Sequence, residues 1–206
     1  KQKNVDTGMG LERTLDVLSG KKSAYETDLF QPIIKEIEKL SGKNYEQNQK
    51  IMRIIADHLR ASVFILGDDN AVIPSNVDRG YILRRLIRKA IRLAKLLNLP
   101  AISLNKLAEI VIKNYSESYL ELKQNKDKII SELKKEEHKF NATLENGLKE
   151  FEKMAARSQE ISGKEAFLLF QSYGFPIEMT EELAAEKGVK VDKQGFEKEY
   201  EKHQEL

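Results

Sequence analysis

The 206-residue chain contains no cysteine and only four prolines. Without cysteine there is neither a disulfide framework nor a thiolate metal site, so a reducing compartment is the natural setting and the cytoplasm the default location. No stretch approaches the roughly twenty apolar residues that a spanning helix needs. The first residues also lack the charged-then-apolar layout of a signal peptide, so neither membrane nor export is indicated. Strict apolar alternation is scarce, which argues against a strand-rich fold. The three histidines, His58, His138 and His203, lie far apart without ligand-like spacing, and no metal site is expected. His58, in a core helix beside Asp57 and Arg60, reads as a buried or paired structural histidine, and no hydroxyl nucleophile with a neighbouring base stands out.

Apolar residues at three- and four-residue spacings recur from Leu11 to Tyr200, and the class they predict is all-α, a multi-helix bundle. Leu11 to Leu18 reads as a short helix stopped by Gly20. Thr27 or Asp28 can cap a second, which Gly42 ends. A third, about Gln47 to Leu66, places Ile51, Ile54, Ile55, Leu59, Val63 and Leu66 toward a core. Ser103 can cap a helix carrying Leu107, Val111 and Tyr115. A long helix from roughly Lys126 to Ala156 has an apolar stripe of Ile129, Leu133, Phe140, Leu144 and Phe151 that breaks at Lys134 to His138. Its Lys- and Glu-rich face reads as solvated. Short helices follow Gly163, Thr180 and Asp192.

Charged residues make up 33% of the chain, yet the net charge is only +2. Its distribution says more. From residue 79 to residue 95 there are seven cations, Arg79, Arg84, Arg85, Arg88, Lys89, Arg92 and Lys95, and no acid, leaving the remainder mildly acidic. At helical spacing Arg85, Arg88 and Arg92 share one face, with Lys89 beside them, while Leu83, Ile87, Ala90, Ile91 and Ala94 supply the buried side. A concentrated positive surface is the footprint of a phosphate-backbone partner, and arginine suits bidentate contact. Asn76 stands at the head of this helix, where an amide could read base edges in the shallow minor groove of double-stranded RNA.

A glycine pair near the start, in Val5-Asp6-Thr7-Gly8-Met9-Gly10-Leu11-Glu12-Arg13, lets backbone approach a ligand closely, with Arg13 able to reach a polyphosphate. This peptide resembles the third motif of class II aminoacyl-tRNA synthetases, in the form found in the alanine-specific family. Three further segments resemble that family in its order: the run from Arg53 to Ala61, Pro74-Ser75-Asn76 followed by Arg79 to Arg88, and Tyr173-Gly174-Phe175-Pro176. The likeness covers essentially the whole chain. It implies an internal part of an ATP- and magnesium-dependent ligase that joins alanine to tRNA, with other class II motifs upstream and an editing domain downstream.

On this likeness Asp6 would hold the alanine amino group, Arg13 an ATP phosphate, and Gly8 and Gly10 would line the pocket. The piece alone would not activate alanine and would bind no cofactor. It would bind the acceptor stem of alanine tRNA, as a monomer, through Asn76, Arg79, Arg84, Arg85, Arg88, Lys89, Arg92 and the region of Gln171. The family's asparagine at the position of Asn76 is implicated in recognising the G·U pair that marks tRNA for alanine. Its second reader is an aspartate, where this chain has Gln171, and the aspartate after Gly-Phe-Pro is Glu178 here. An amide both donates and accepts, so with Gln171 the readout either survives in altered geometry or is directed to a different pair.

The expected organisation is a motif-three remnant with a piece of the catalytic sheet over residues 1–22, a helical acceptor-stem part over 23–100, and a second helical part over 101–206. Two alternatives remain open from the residues alone. One is a helical protein-interaction adaptor built on the long helix, although the broken stripe opposes sustained heptads. The other is a general RNA-binding module, which would have no reason to carry the VDTGMGLER peptide.

Overall fold

Glycine, capping residues and apolar spacing divide the chain into ten α-helices among the residues that the computed structural model describes, Asn4 and 7–204. α1 (Leu11–Ser19) and α2 (Gln31–Ser41) stop at Gly20 and Gly42. α3 (Tyr45–Gly67) starts at Asn44, whose side chain accepts from the Glu46 N–H. α4 (Asp78–Leu96) is the basic helix. α5 (Ser103–Tyr115), α6 (Leu120–Gln124) and the 32-residue α7 (Lys126–Arg157) follow. α8 (Gly163–Tyr173) opens on a capping box in which Ser162 and Glu165 satisfy each other's backbone N–H groups. α9 (Ile177–Lys187) and α10 (Lys193–Gln204) complete the helices.

The class is all-α. The sheet among the described residues is one parallel pair, β1 (Glu160–Ile161) beside β2 (Lys190–Val191), with Glu160 opposite Lys190. It frames the C-terminal helices. Before Leu11 the described residues carry no strand, so the piece of sheet expected at that end is not among them.

α7 is the axis on which the rest packs, touching α3, α4, α5 and α8. Buried apolar residues from Phe30 to Phe196 form one cluster, with Phe140, Phe151 and Phe175 its largest fully buried side chains. At about 25 cal/mol per Å² of apolar surface, each such ring contributes about 2–3 kcal/mol of burial. Because α5 packs on α2 and α3 as well as on α7, residues on either side of position 100 share this core. The apolar stripe of α7 is used up inside the chain, leaving no free seam of the kind an adaptor would pair through.

Two caps differ from expectation. α2 begins at Gln31 after Phe30, with no side-chain cap. The Thr27 carbonyl instead accepts from the Gln31 N–H at 3.0 Å, while its hydroxyl turns back to the Ala24 carbonyl at 2.5 Å. Ser103 is the first residue of α5, not its cap, and its buried hydroxyl has no partner among the described residues. The N–H groups of Ile102, Ser103 and Leu104 lie toward the carboxyl of Glu137 on α7 and favour its charged form, although its Oε2 is buried without a hydrogen-bond partner among the described residues.

Glu137 is only 2% exposed. Burial pushes its carboxyl up to about 7, against the pull of those three N–H groups. The unfolded chain gives up this proton near 4.5 and the folded chain near 7, so stability falls as pH rises between the two values. The loss is on the order of 3 kcal/mol once both states are ionised. Glu137→Gln keeps an oxygen for the helix N-terminus and carries no charge. We expect it to be more stable than the parent at pH 8 and close to it at pH 4.5, in urea melts at both values. A variant difference that is the same at both would show that Glu137 is not buried as described.

Candidate nucleic-acid interface

Each cation of α4 can be followed to its neighbours. Arg88 lies 5% exposed beneath the turn between α8 and α9. Its Nε donates to Glu136 of α7 at 2.6 Å, Nη1 donates to the Gly174 carbonyl, and the guanidinium sits 4.9 Å from the ring centre of Phe140. Burial lowers its pKa while the Glu136 charge opposes that shift. Arg84 approaches the same carboxylate at 3.3 Å. On the next face α9 presents a carboxylate row. Glu178 takes Arg85 at 2.5 Å, Glu182 takes Lys89, and Glu186 takes Arg92 at 3.0 Å. Lys95 pairs with Glu145 at 2.5 Å.

Six of the seven cations therefore have a carboxylate from another helix within ion-pair reach, and among the described residues Arg79 alone does not. The open cationic face expected from helical spacing is instead an internal charge seam. Arg88 and Arg92 are buried, and Arg85 and Lys89 are half covered. Glu178 also accepts from the Tyr81 hydroxyl at 2.8 Å, and burial together with that contact pushes the Tyr81 phenol up.

The residues that remain available lie at one end of α4. A cleft of about 420 Å³ is lined by Asn76, Arg84, Lys139, Phe170, Gln171 and Tyr200, among others. Asn76 and Gln171, far apart in sequence, thus face a common space from the loop before α4 and the last turn of α8. Both are exposed. Arg84 Nη1 donates to Asn76 Oδ1 and Nη2 donates to the Pro74 carbonyl at 3.3 Å. Since guanidinium has no acceptor, the oxygen of the Asn76 amide must face Arg84, and its NH₂ is turned outward as a donor. The Gln171 side chain makes no hydrogen bond within the described residues and can both donate and accept. Lys139, exposed on α7 and without an ion pair there, adds positive charge.

Lys139 is a residue that sequence reading missed. It sits on the face of α7 read as solvated, and nothing local distinguishes it from its lysine neighbours until the fold turns it toward Asn76.

The model of the family described as tRNA synthetases class II (A) matches residues 1–206. The alanine–tRNA ligase of Borrelia hermsii (strain HS1 / DAH) is 52% identical over 211 residues, covering 100% of this chain and 36% of that protein. That of Treponema pallidum (strain Nichols) is 45% identical, covering 97% of this chain and 34% of its own length. The chain belongs to the class II tRNA synthetases. A third relative, the alanine–tRNA ligase of Staphylococcus aureus (strain JH9), is 45% identical and matches 96% of the chain with 23% of its own length. The chain thus spans about a third or less of the curated relatives it matches.

The other synthetase-like segments fall in two places. The Arg53 to Ala61 stretch of α3 is a structural strut: Arg53 donates to the Tyr45 hydroxyl at 2.7 Å, and Arg60 lies over the Phe30 ring and bonds Glu12 of α1 at 2.5 Å. Arg60's hydrogen bond in turn holds the Glu12 carboxyl below its usual range. His58 Nδ1 lies 3.4 Å from the Asp57 carboxylate without a hydrogen bond among the described residues.

At the other end of the chain, Gly8 and Gly10 are exposed before α1, and Arg13 is exposed on its first turn. Asp6 lies outside the described residues. The N-terminus of α1 carries no side-chain cap, and nothing lies within 4 Å of the space a Gly8 side chain would take, so these residues fit a phosphate-bearing ligand. Among the described residues no group of three or more acidic or histidine side chains is placed to hold a metal ion. None of their helices is long and apolar enough to cross a membrane.

Proposed function

We propose that this chain is the acceptor-stem-binding part of an alanine–tRNA ligase and that it receives the stem in the cleft between Asn76 and Gln171. The observation that carries this reading is their convergence, since the free NH₂ of Asn76 and the free amide of Gln171 line one basic cleft and are suited to base edges in the wide, shallow minor groove of A-form RNA. The outward NH₂ of Asn76 matches an acceptor there, and Gln171 can take the exocyclic amino group that a G·U pair offers. Asn76 is the donor because Arg84 occupies its oxygen.

Phosphate contact in this reading comes chiefly from Arg79 and Lys139. Arg84 and Arg88 line the cleft, while Arg85, Lys89 and Arg92 hold α9 against α4. In the whole enzyme, a cytoplasmic ligase, ATP and magnesium would supply the activation of alanine as acyl adenylate. Gly8, Gly10 and Arg13 would meet the nucleotide's phosphates and Asp6 the alanine ammonium group. The open apolar side of α1, where Leu11, Val17 and Leu18 are exposed, supports a further packing surface at that site.

The test is binding of the chain to an alanine acceptor minihelix with G·U at its third pair and to its G·C counterpart, across a salt series. Arg79→Ala with Lys139→Ala should weaken both complexes and reduce the salt slope by about 2, one for each phosphate contact removed. Asn76→Ala should mainly reduce preference for G·U. Equal loss of affinity for both stems in Asn76→Ala would remove its reading role, and an unchanged salt slope in the double variant would move phosphate contact elsewhere.

A further inference from the structure

The loop that carries Asn76 is held from two sides. Arg84 fixes its side chain from α4. From α10, the Tyr200 hydroxyl donates to the Asn76 main-chain carbonyl at 3.3 Å, a contact across 124 residues of sequence. Tyr200 is itself mounted rigidly. Its ring stacks on Phe196 at 6.0 Å with 17° between planes, and meets Phe170 edge-to-face at 5.4 Å. Phe170 and Phe196 are in edge contact at 5.6 Å. Phe170 is the residue immediately before Gln171, so one aromatic group ties the helix bearing Gln171 to the loop bearing Asn76.

We infer that Tyr200 is the positioning residue that sets the separation of the two reading amides. The inference rests on the cleft being the acceptor-stem site proposed above. A longer route also links the two amides, from Asn76 through Arg84 and α4 to the Gly174 carbonyl that Arg88 holds, and Tyr200 is the direct one. Arg84 orients Asn76 relative to α4 and α7, whereas the Gln171 side chain has no hydrogen bond within the described residues and follows the end of α8, which Thr143 and Phe175 seat on α7. A bidentate reading of one base pair needs both edges placed to within a fraction of an ångström, and a hydroxyl fixed by two rings supplies that where a solvated loop would not. The aromatic ring gives Tyr200 its place, and the hydroxyl transmits that place to residue 76.

The two parts separate cleanly by substitution. Tyr200→Phe keeps the stack and removes only the hydroxyl. The chain and its Tyr200→Phe, Asn76→Ala and doubly substituted forms would be titrated with the G·U and G·C minihelices, with melting temperatures taken alongside. We expect Tyr200→Phe to lower the G·U preference about threefold to tenfold, as the loss of one neutral hydrogen bond would. Its melting temperature and salt slope should match the parent's. In the Asn76→Ala background the same change should do nothing more, because the group it positions is gone. A merely structural Tyr200 would instead shift melting or weaken both stems equally, and either result overturns the inference. So does full preference in Tyr200→Phe when Asn76→Ala has lost it, which would leave the acceptor-stem reading standing. Preference retained in Asn76→Ala, or absent from the parent chain, would overturn that reading itself and the inference with it.

Discussion

Replacing Arg88 by alanine lowers the stability of the chain by about 3 kcal/mol or more, the loss expected when one partner of a buried ion pair is removed. Glu136, itself 5% exposed, then keeps only the more distant Arg84, and the Gly174 carbonyl loses the guanidinium that donates to it. Contact with the Phe140 ring goes as well. Urea unfolding measures the loss. Pairing Arg88→Ala with Glu136→Gln should recover part of it, since the second change removes the stranded charge. An Arg88→Ala variant within 1 kcal/mol of the parent would mean that this side chain is solvated, as the helical spacing alone implied, and would return it to the set of phosphate contacts. The same comparison at Arg85, half exposed in its pair with Glu178, should cost about 1 kcal/mol or less.

That contrast explains what could be read from the sequence. Apolar spacing placed the helices because it records which side of each faces the core, and α3 and α7 begin and end within a few residues of where their patterns do. Charge spacing is a poorer guide. It shows which residues share a face of α4 but not what that face meets. The carboxylates that meet it come from α7 and α9, and Glu178, Glu182 and Glu186 line up with Arg85, Lys89 and Arg92 only once the chain has doubled back. The acidity of the remainder of the chain was the visible trace of this pairing. So was the break in the α7 stripe: Glu136 and Glu137 occupy buried positions there because one meets Arg88 and the other meets the N-terminus of α5. A polar break in an otherwise apolar stripe marks a buried polar contact as readily as a solvated turn.

The candidate site divides in the same way. Asn76 and Gln171 were singled out through the family resemblance, and the fold brings them to one cleft. Lys139 and Tyr200 were not, because each earns its place only through three-dimensional neighbours. The glycine of the Tyr-Gly-Phe-Pro turn is legible in hindsight on simple grounds. Gly174 is left-handed at φ 71, and the space beside it is filled by the Arg88 guanidinium, so no other residue fits there without displacing that contact.

Phe175→Ala should be the most damaging single change near the site, at about 3–5 kcal/mol. Its ring is fully buried, meets Phe140 edge-to-face at 5.9 Å, and lies over Gly147, where even a methyl group would sit 2.5 Å from it. This is the peg that seats the α8–α9 turn on α7. The Phe175 N–H closes the end of α8 on the Leu169 carbonyl at 3.0 Å, and Thr143 of α7 donates to the Tyr173 carbonyl at 2.8 Å. Gln171 rides on that last turn. Emptying the pocket therefore frees the turn, and G·U preference should fall along with stability even where the chain remains fully folded. Phe175→Leu fills most of the volume and should retain most of both. Gly147→Ala approaches the contact from the opposite side and should displace the ring, lowering stability by overpacking instead of by a void. If Phe175→Ala lost stability but kept its preference between stems, the reading edge of Gln171 would be independent of the turn, and the aromatic group around Tyr200 would be left as its sole support.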